Sequence, residues 1–248
     1  MDAARKRVKA DIRGRAMAWL FLLCALPACL LALTLRPGFY SSYWAASETP
    51  ERFWQVTNED ADRLWEAIPR ALNGDADALR LQVRDPDGQA RPAFREREIA
   101  HMADVAHLYR LAKIVLCAGG APLLALTIWA WHGCWHGKKS AGIAKGALLG
   151  ALDVAVLAAG VFVWAAVDFR SVFWLFHQLA FTNDLWLLDP SDLLIRLMPQ
   201  SFFAMSALKI ALCWAGCAAL WLCGARAWLH RAKSEKGEGR RDGLEHVH

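Results

Sequence analysis

Two histidines stand in surroundings suited to moving protons. His177 lies in a stretch that also holds Phe173, Trp174, Phe176, Phe181, Asn183, Asp184 and Trp186. Read as a helix over 173–184, the 100° step puts His177 on one face with Phe173, Trp174, Phe181 and Asp184, and Asn183 and Asp184 end the helix. That is one titratable imidazole in an aromatic wall. The competing reading is an interfacial aromatic belt in which His177 merely caps a turn.

The second histidine, His101, lies three residues before Asp104 and shares a helix face with it, Val105 and Leu108. An aspartate beside an imidazole holds its tautomer and favours its charged form. His107 is rotated by about 120° from His101, so the two do not address one partner. Here the competing reading is a surface His–Asp pair of no consequence. His132 and His136 flank Cys134 with a metal-like spacing, but Gly133 and Gly137 break that helix and no carboxylate is near. We therefore assign no metal site. His230, His246 and His248 fall in a basic tail.

The elements that must position these residues are membrane elements. The chain has 248 residues, 56% of them apolar, with 13 tryptophans and a formal net charge of +5. Four windows, 17–35, 108–131, 144–167 and 202–228, are long and apolar enough to cross a bilayer. We read the chain as an all-α polytopic membrane protein, one membrane domain over 1–248. Basic residues crowd before the first window, between the second and third, and after the fourth, which puts both termini in the cytoplasm. Segments 37–107 and 168–201 then face outward, the first as a small cap and the second as a loop. Because the basic tails are topology signals, they imply no nucleic-acid partner. A signal peptide also fits the amino terminus, but the apolar run continues past Cys29 to spanning length, so it reads as an uncleaved helix.

Of the seven cysteines, six fall inside the windows and Cys134 in a cytoplasmic loop. They read as small apolar fillers, with neither a disulfide framework nor an outward thiol nucleophile. In the cap, Phe39, Tyr40, Tyr43 and Trp44 suit the outer interface. Segment 49–72 reads as an amphipathic helix, 78–83 as a short strand, and Asp85, Pro86, Asp87 and Gly88 as a turn. Segment 96–116 has no Gly or Pro, so one helix carries His101 out of the membrane into the cap. Both histidines thus come to a membrane boundary on the same side. There they form a general acid–base pair for chemistry on a headgroup or ester.

The pattern Arg95, Glu96, His101, Met102, Asp104, Val105, Leu108, followed in the second loop by Phe176, His177, Phe181, Asn183, Asp184, Trp186, Leu188, Asp189, Pro190, Asp192 and Pro199, resembles the lipoprotein intramolecular transacylase family, Lit. The order and topology agree over nearly the whole chain, and the specific motifs occupy those two stretches. The resemblance implies a bacterial cytoplasmic-membrane enzyme. It moves the sn-2 acyl chain of a diacylglyceryl-modified amino-terminal cysteine onto that cysteine's own α-amino group, giving a lyso-form lipoprotein. It also implies that two histidines carry the reaction, here His101 and His177. The substrate would be a diacylated lipoprotein in the membrane, and no cofactor is implied.

The chemistry is consistent with that resemblance. No Gly-x-Ser-x-Gly elbow and no outward cysteine occurs, so direct transfer needs fewer parts than a covalent acyl-enzyme. Asp104 is expected to orient His101, and Asn183 or Trp186 to donate to the oxyanion. Phe173, Trp174, Phe176 and Phe181 are expected to line the substrate pocket. Two alternatives stay open at this point. One is a membrane metallohydrolase with His101, Asp104, His107 and His177 as ligands. The other is a non-catalytic protein whose aromatic loops bind lipid or another protein.

Overall fold

The structure is a computed structural model that describes residues 2–44, 56–85, 87–135 and 140–245. It is a polytopic all-α membrane protein. The elements in order are α1 (Asp2–Thr34), α2 (Pro37–Trp44), α3 (Asn58–Leu72), β1 (Gln82–Arg84), β2 (Ala90–Pro92), α4 (Glu96–Trp135), α5 (Ser140–Val167), α6 (Phe169–Ala180), α7 (Leu193–Leu197) and α8 (Gln200–Glu245). Among the described residues, four helical stretches are long and apolar enough to cross a bilayer: Val8–Thr34, Glu96–Ala130, Ala141–Val167 and Gln200–Ser234. In the second of these, charged residues recur as far as Arg110 and Lys113. A hydrocarbon core of about 30 Å needs only about 20 apolar residues. The lipid-spanning part of α4 therefore begins past Lys113, and His101 lies outside it.

The chain divides into two compact units: Met1–Leu26, Val115–Val163 and Leu212–His248 form one, and Pro27–Ile114 with Trp164–Ala211 the other. In the first unit, α1 and α5 pack backbone to backbone through Gly14, Gly146 and Gly150. A Cβ on Gly146 would collide with the Asp11 carbonyl oxygen. Small residues at such contacts allow helices in lipid to approach closely. Arg15 pairs with Asp153 at 3.0 Å across the same contact. Trp214 donates to the Leu22 carbonyl at 2.9 Å, which fixes α8 against α1.

The second unit has its own core. Helix α3 starts at an N-cap, Thr57, whose hydroxyl accepts from the Asp60 N–H at 3.2 Å, and Glu59 and Asp60 sit in its first turn, where the helix dipole favours acids. Its residues Ala61, Leu64, Trp65, Ile68 and Leu72 recur at helical spacing and are buried. They pack with Phe39, Tyr40, Val83, Phe94, Met102, Leu194, Leu197 and Phe202.

Several expectations shift here. The amphipathic helix begins at Asn58, and 49–55 lie outside the described residues. The strand is β1, displaced from 78–83 to 82–84, where it pairs antiparallel with β2 in the register Val83↔Arg91. Asp60 anchors β1 to α3 by accepting the Arg84 N–H at 2.7 Å. The turn is as expected, with the Gly88 N–H donating to the Asp85 carbonyl at 2.9 Å and Gly88 at φ 81°. Phe39 and Tyr40 form core packing, not a membrane belt, because their rings meet Phe202 at centroid distances of 6.1 and 5.8 Å. Finally, α4 continues through Gly133 to Trp135; His136 and Gly137 lie outside the described residues.

Candidate active site

His177 sits in the last turn of α6, a helix capped at its start by Asp168, which accepts from the Ser171 N–H at 3.0 Å. The helix stops at Ala180, not at Asp184. Phe181 is its extended C-cap residue, and its N–H donates to the His177 carbonyl at 3.0 Å. Phe181 and Asp184 therefore do not share a helix face with His177. The chain nonetheless turns back so that the Phe181 ring stands 5.6 Å from the His177 ring.

Four aromatic rings contact the imidazole. Phe173 lies 4.2 Å from it, Trp186 5.1 Å and Phe176 5.3 Å by ring centroids. Trp174 stands edge-on to Trp186 at 5.0 Å and so backs the site without facing His177. Phe203 of α8 packs on Phe173 at 5.3 Å. Such rings remove water, and burial pushes the His177 imidazole below its ordinary value, opposed by its hydrogen bond to the Phe173 carbonyl.

His101, on α4, is brought to within 6.2 Å of His177 by ring centroids, and Phe181 stands beside the pair, edge-on to His101 at 5.2 Å. The His101 ring is buried. Its Nδ1 meets no hydrogen-bond partner among the described residues. Burial first, and then the neighbouring His177, lower its titration from 6.5 to about 4, while Asp104 pulls weakly the other way.

The supporting residues are arranged differently from expectation. Asp104 does not hold the His101 imidazole. Its carboxylate accepts from the Asn183 side-chain amide at 2.9 Å, which ties the second loop to α4. The Asn183 carbonyl oxygen accepts from the Leu185 N–H at 3.0 Å, so both ends of that amide are engaged. Asp184 contributes its backbone carbonyl to Arg97 at 2.5 Å. His107 is exposed, and among the described residues no three of His, Cys, Asp and Glu gather as metal ligands.

Sequence reasoning missed Glu98, which is 1% exposed. One carboxylate oxygen accepts from the Arg95 N–H at the start of α4, and the other from the Leu194 N–H at the start of α7, both at 2.7 Å. Arg95 also pairs with buried Asp192 at 2.7 Å, and Asp192 accepts from the Asp189 N–H at 2.8 Å. A glutamate three residues after a helix start is a local capping signal and was available. The reach to Leu194 and Asp192 spans the fold and leaves no trace in spacing.

The family model for "Lipoprotein intramolecular transacylase Lit" matches residues 16–203, well over half of the chain. The chain belongs to the Lit family. The matched region carries both histidines, Glu98 and the Asp104–Asn183 bond. Among solved structures, the membrane-integral lipoprotein intramolecular transacylase Lit from Bacillus cereus shares the fold at a TM-score of 0.72 and 16% identity, covering 91% of this chain and 98% of that one. A histidine-to-alanine variant of that Bacillus cereus protein matches with a TM-score of 0.70 and 16% identity, covering 94% and 100%. No curated protein matches the sequence. The Lit fold thus accounts for the cap, the second loop and the four spanning helices together.

Proposed function

We propose that this Lit-family protein transfers the sn-2 acyl chain of a diacylglyceryl-cysteine lipoprotein to the α-amine of the same cysteine, with His177 as base and His101 as hydrogen-bond donor. The observation that carries this reading is the meeting of the two rings at 6.2 Å inside one aromatic pocket, from segments far apart in the chain.

The tautomers support distinct roles. The Phe173 carbonyl can only accept, so neutral His177 carries its proton on Nδ1 and offers a bare Nε2. His101 has no acceptor at Nδ1, and a buried orphan N–H is costlier to keep than an orphan lone pair, so its proton sits on Nε2. One ring then accepts while the other donates. A neutral imidazole that donates without titrating is a known way to polarise a carbonyl near pH 7.

The step balances. The amine nitrogen attacks the ester carbonyl carbon, and its proton passes to His177 Nε2. The oxyanion takes a hydrogen bond from His101 Nε2–H. Collapse breaks the ester C–O bond, and the departing sn-2 alkoxide takes the proton back from His177. The products are an amide and a free hydroxyl. Proton transfer of this kind contributes about 10²- to 10⁴-fold, and holding ester and amine of one molecule in register contributes further.

The basic flanks of the spanning helices support an orientation with both termini in the cytoplasm and the histidine pair on the outer face. The deciding experiment incubates the purified protein with a diacylated lipopeptide and locates the acyl groups by tandem mass spectrometry. An acyl group on nitrogen, lost in His177→Asn protein that still folds, supports the reading. A peptide whose acyl groups all remain on the glyceryl oxygens overturns it.

A further inference from the structure

The first turn of α4 and the chain after Trp186 enclose a groove of about 380 Å³, with Arg95 and Arg97 on one side and Leu187, Leu188 and Asp189 on the other. It contains neither histidine, and the transfer chemistry assigns it nothing. Its location follows from the chain. Arg97 precedes His101 by one turn of α4, and Leu187 follows Trp186, whose ring stands 5.1 Å from His177. The apolar, lipid-spanning part of α4 runs the other way from His101. Along α4, groove and lipid lie on opposite sides of the histidine pair.

The charges in the groove are partly spoken for. Arg95 is neutralised by Asp192. Arg97 is not: it donates to one carbonyl, that of Asp184, and has no carboxylate partner among the described residues. A guanidinium bonded once keeps most of its donors available. Asp189 is exposed and accepts from both the N–H, at 2.8 Å, and the hydroxyl of Ser191; an ionised carboxylate has about four acceptor positions, so it can still take another donor. Leu187 is 41% exposed. One free cation, one carboxylate and an apolar rim make a poor site for a phosphate headgroup, which the carboxylate would repel. They match an uncharged chain that carries alternating N–H and C=O groups.

We propose that this groove binds the polypeptide that follows the modified cysteine, held extended, with Arg97 donating to a peptide carbonyl, Asp189 accepting a peptide N–H and Leu187 packing on a side chain. The proposal rests on the transacylase reading. With the acyl chains in the lipid and the ester and amine between the histidines, the rest of the lipoprotein has to leave on the side away from the membrane. A strand advances about 3.3 Å per residue, so the groove meets the residues just after the cysteine.

The test compares two substrates of the full-length protein in micelles: an S-diacylglyceryl-cysteine that carries a short peptide, and the same diacylglyceryl-cysteine as a simple amide. We expect a KM roughly tenfold lower for the lipopeptide, as one charge-assisted hydrogen bond would give. Leu187→Asp should erase that advantage and leave kcat and KM for the amide unchanged, and Arg97→Gln, which also gives up the bond to the Asp184 carbonyl, should raise KM for the lipopeptide more than for the amide. A benzophenone on the third peptide residue should cross-link to the 187–190 segment. Equal KM for the two substrates in the unaltered protein, equal losses on both substrates in the variants, or cross-linking elsewhere overturns the groove alone. Turnover of neither substrate overturns the transacylase reading, and the groove's role with it.

Discussion

His177 Nδ1 stands 2.7 Å from the carbonyl oxygen of Phe173, one turn earlier on the same helix. The bond fixes the ring's rotation and its tautomer together, because only an Nδ1–H satisfies that carbonyl. An asparagine at 177 can keep a donor close to the Nδ1 position while removing the atom that corresponds to Nε2. His177→Asn is therefore expected to fold and insert normally, yet to lose about 10²- to 10⁴-fold in the rate of lyso-lipoprotein formation. Mass spectrometry of the product, with a melting curve beside it, checks both halves. A rate within a few-fold of the unaltered protein would remove His177 as base.

The pH dependence follows from the same burial. Both imidazoles titrate below the ordinary 6.5, His101 at about 4, so both are neutral at pH 7. A base must be neutral to accept, so the histidine itself lowers turnover only as pH drops below 6.5. A second limb near pH 8 belongs to the substrate's own amine. The His101 contribution to stability has a definite sign. Between about pH 4 and 6.5 the unfolded chain protonates His101 while the folded one does not, so this contribution rises with pH across that window and levels off above it, against an opposite contribution from buried Glu98. The span corresponds to about 3 kcal/mol. Melting temperatures measured from pH 4 to 8 should show that slope, and it should flatten in His101→Gln protein.

The spanning helices and the two histidines are legible in the sequence because both signals are local. Long apolar runs announce themselves, and a histidine among aromatics stands out from a lipid-facing surface. The end of α6 is not legible in that way. Helical spacing carried Phe181 and Asp184 onto the His177 face, whereas the chain leaves the helix after Ala180 and Phe181 reaches the ring from an extended residue. Asp104 failed for a related reason. Its spacing from His101 is right for a helical pair, but a one-dimensional pattern cannot show that Asn183 already occupies its carboxylate.

We propose that Asp104 is a positioning residue, acting through Asn183. If their bond is what holds the second loop to α4, then Asp104→Ala and Asn183→Ala remove the same interaction. Each alone should lower kcat by roughly three- to tenfold, and the double variant should be no worse than the worse single one. KM should move less than kcat. Multiplying losses in the double variant would show that the two residues act separately, and an unchanged rate in Asp104→Ala would take Asp104 out of the site.

Glu98 gives the most direct test of how the site is held together. Its carboxylate joins the start of α4, which carries His101, to the start of α7, which closes the loop from His177. Burial raises its titration, because the charged form loses water that two N–H bonds only partly replace. Glu98→Gln keeps the shape but offers one oxygen and one NH₂, so either the Arg95 or the Leu194 N–H loses its acceptor. A buried donor left unpaired costs about 1–3 kcal/mol. For a chain of this size that is a fall of about 2–4 °C in melting temperature per kcal/mol. Activity at a temperature well below the new midpoint should fall as well, through loss of the His101–His177 register, and Glu98→Ala should be worse on both counts. A Glu98→Gln protein that melts like the unaltered one would mean that the loop is held by the Arg95–Asp192 pair, and Asp192→Asn should then produce the loss instead.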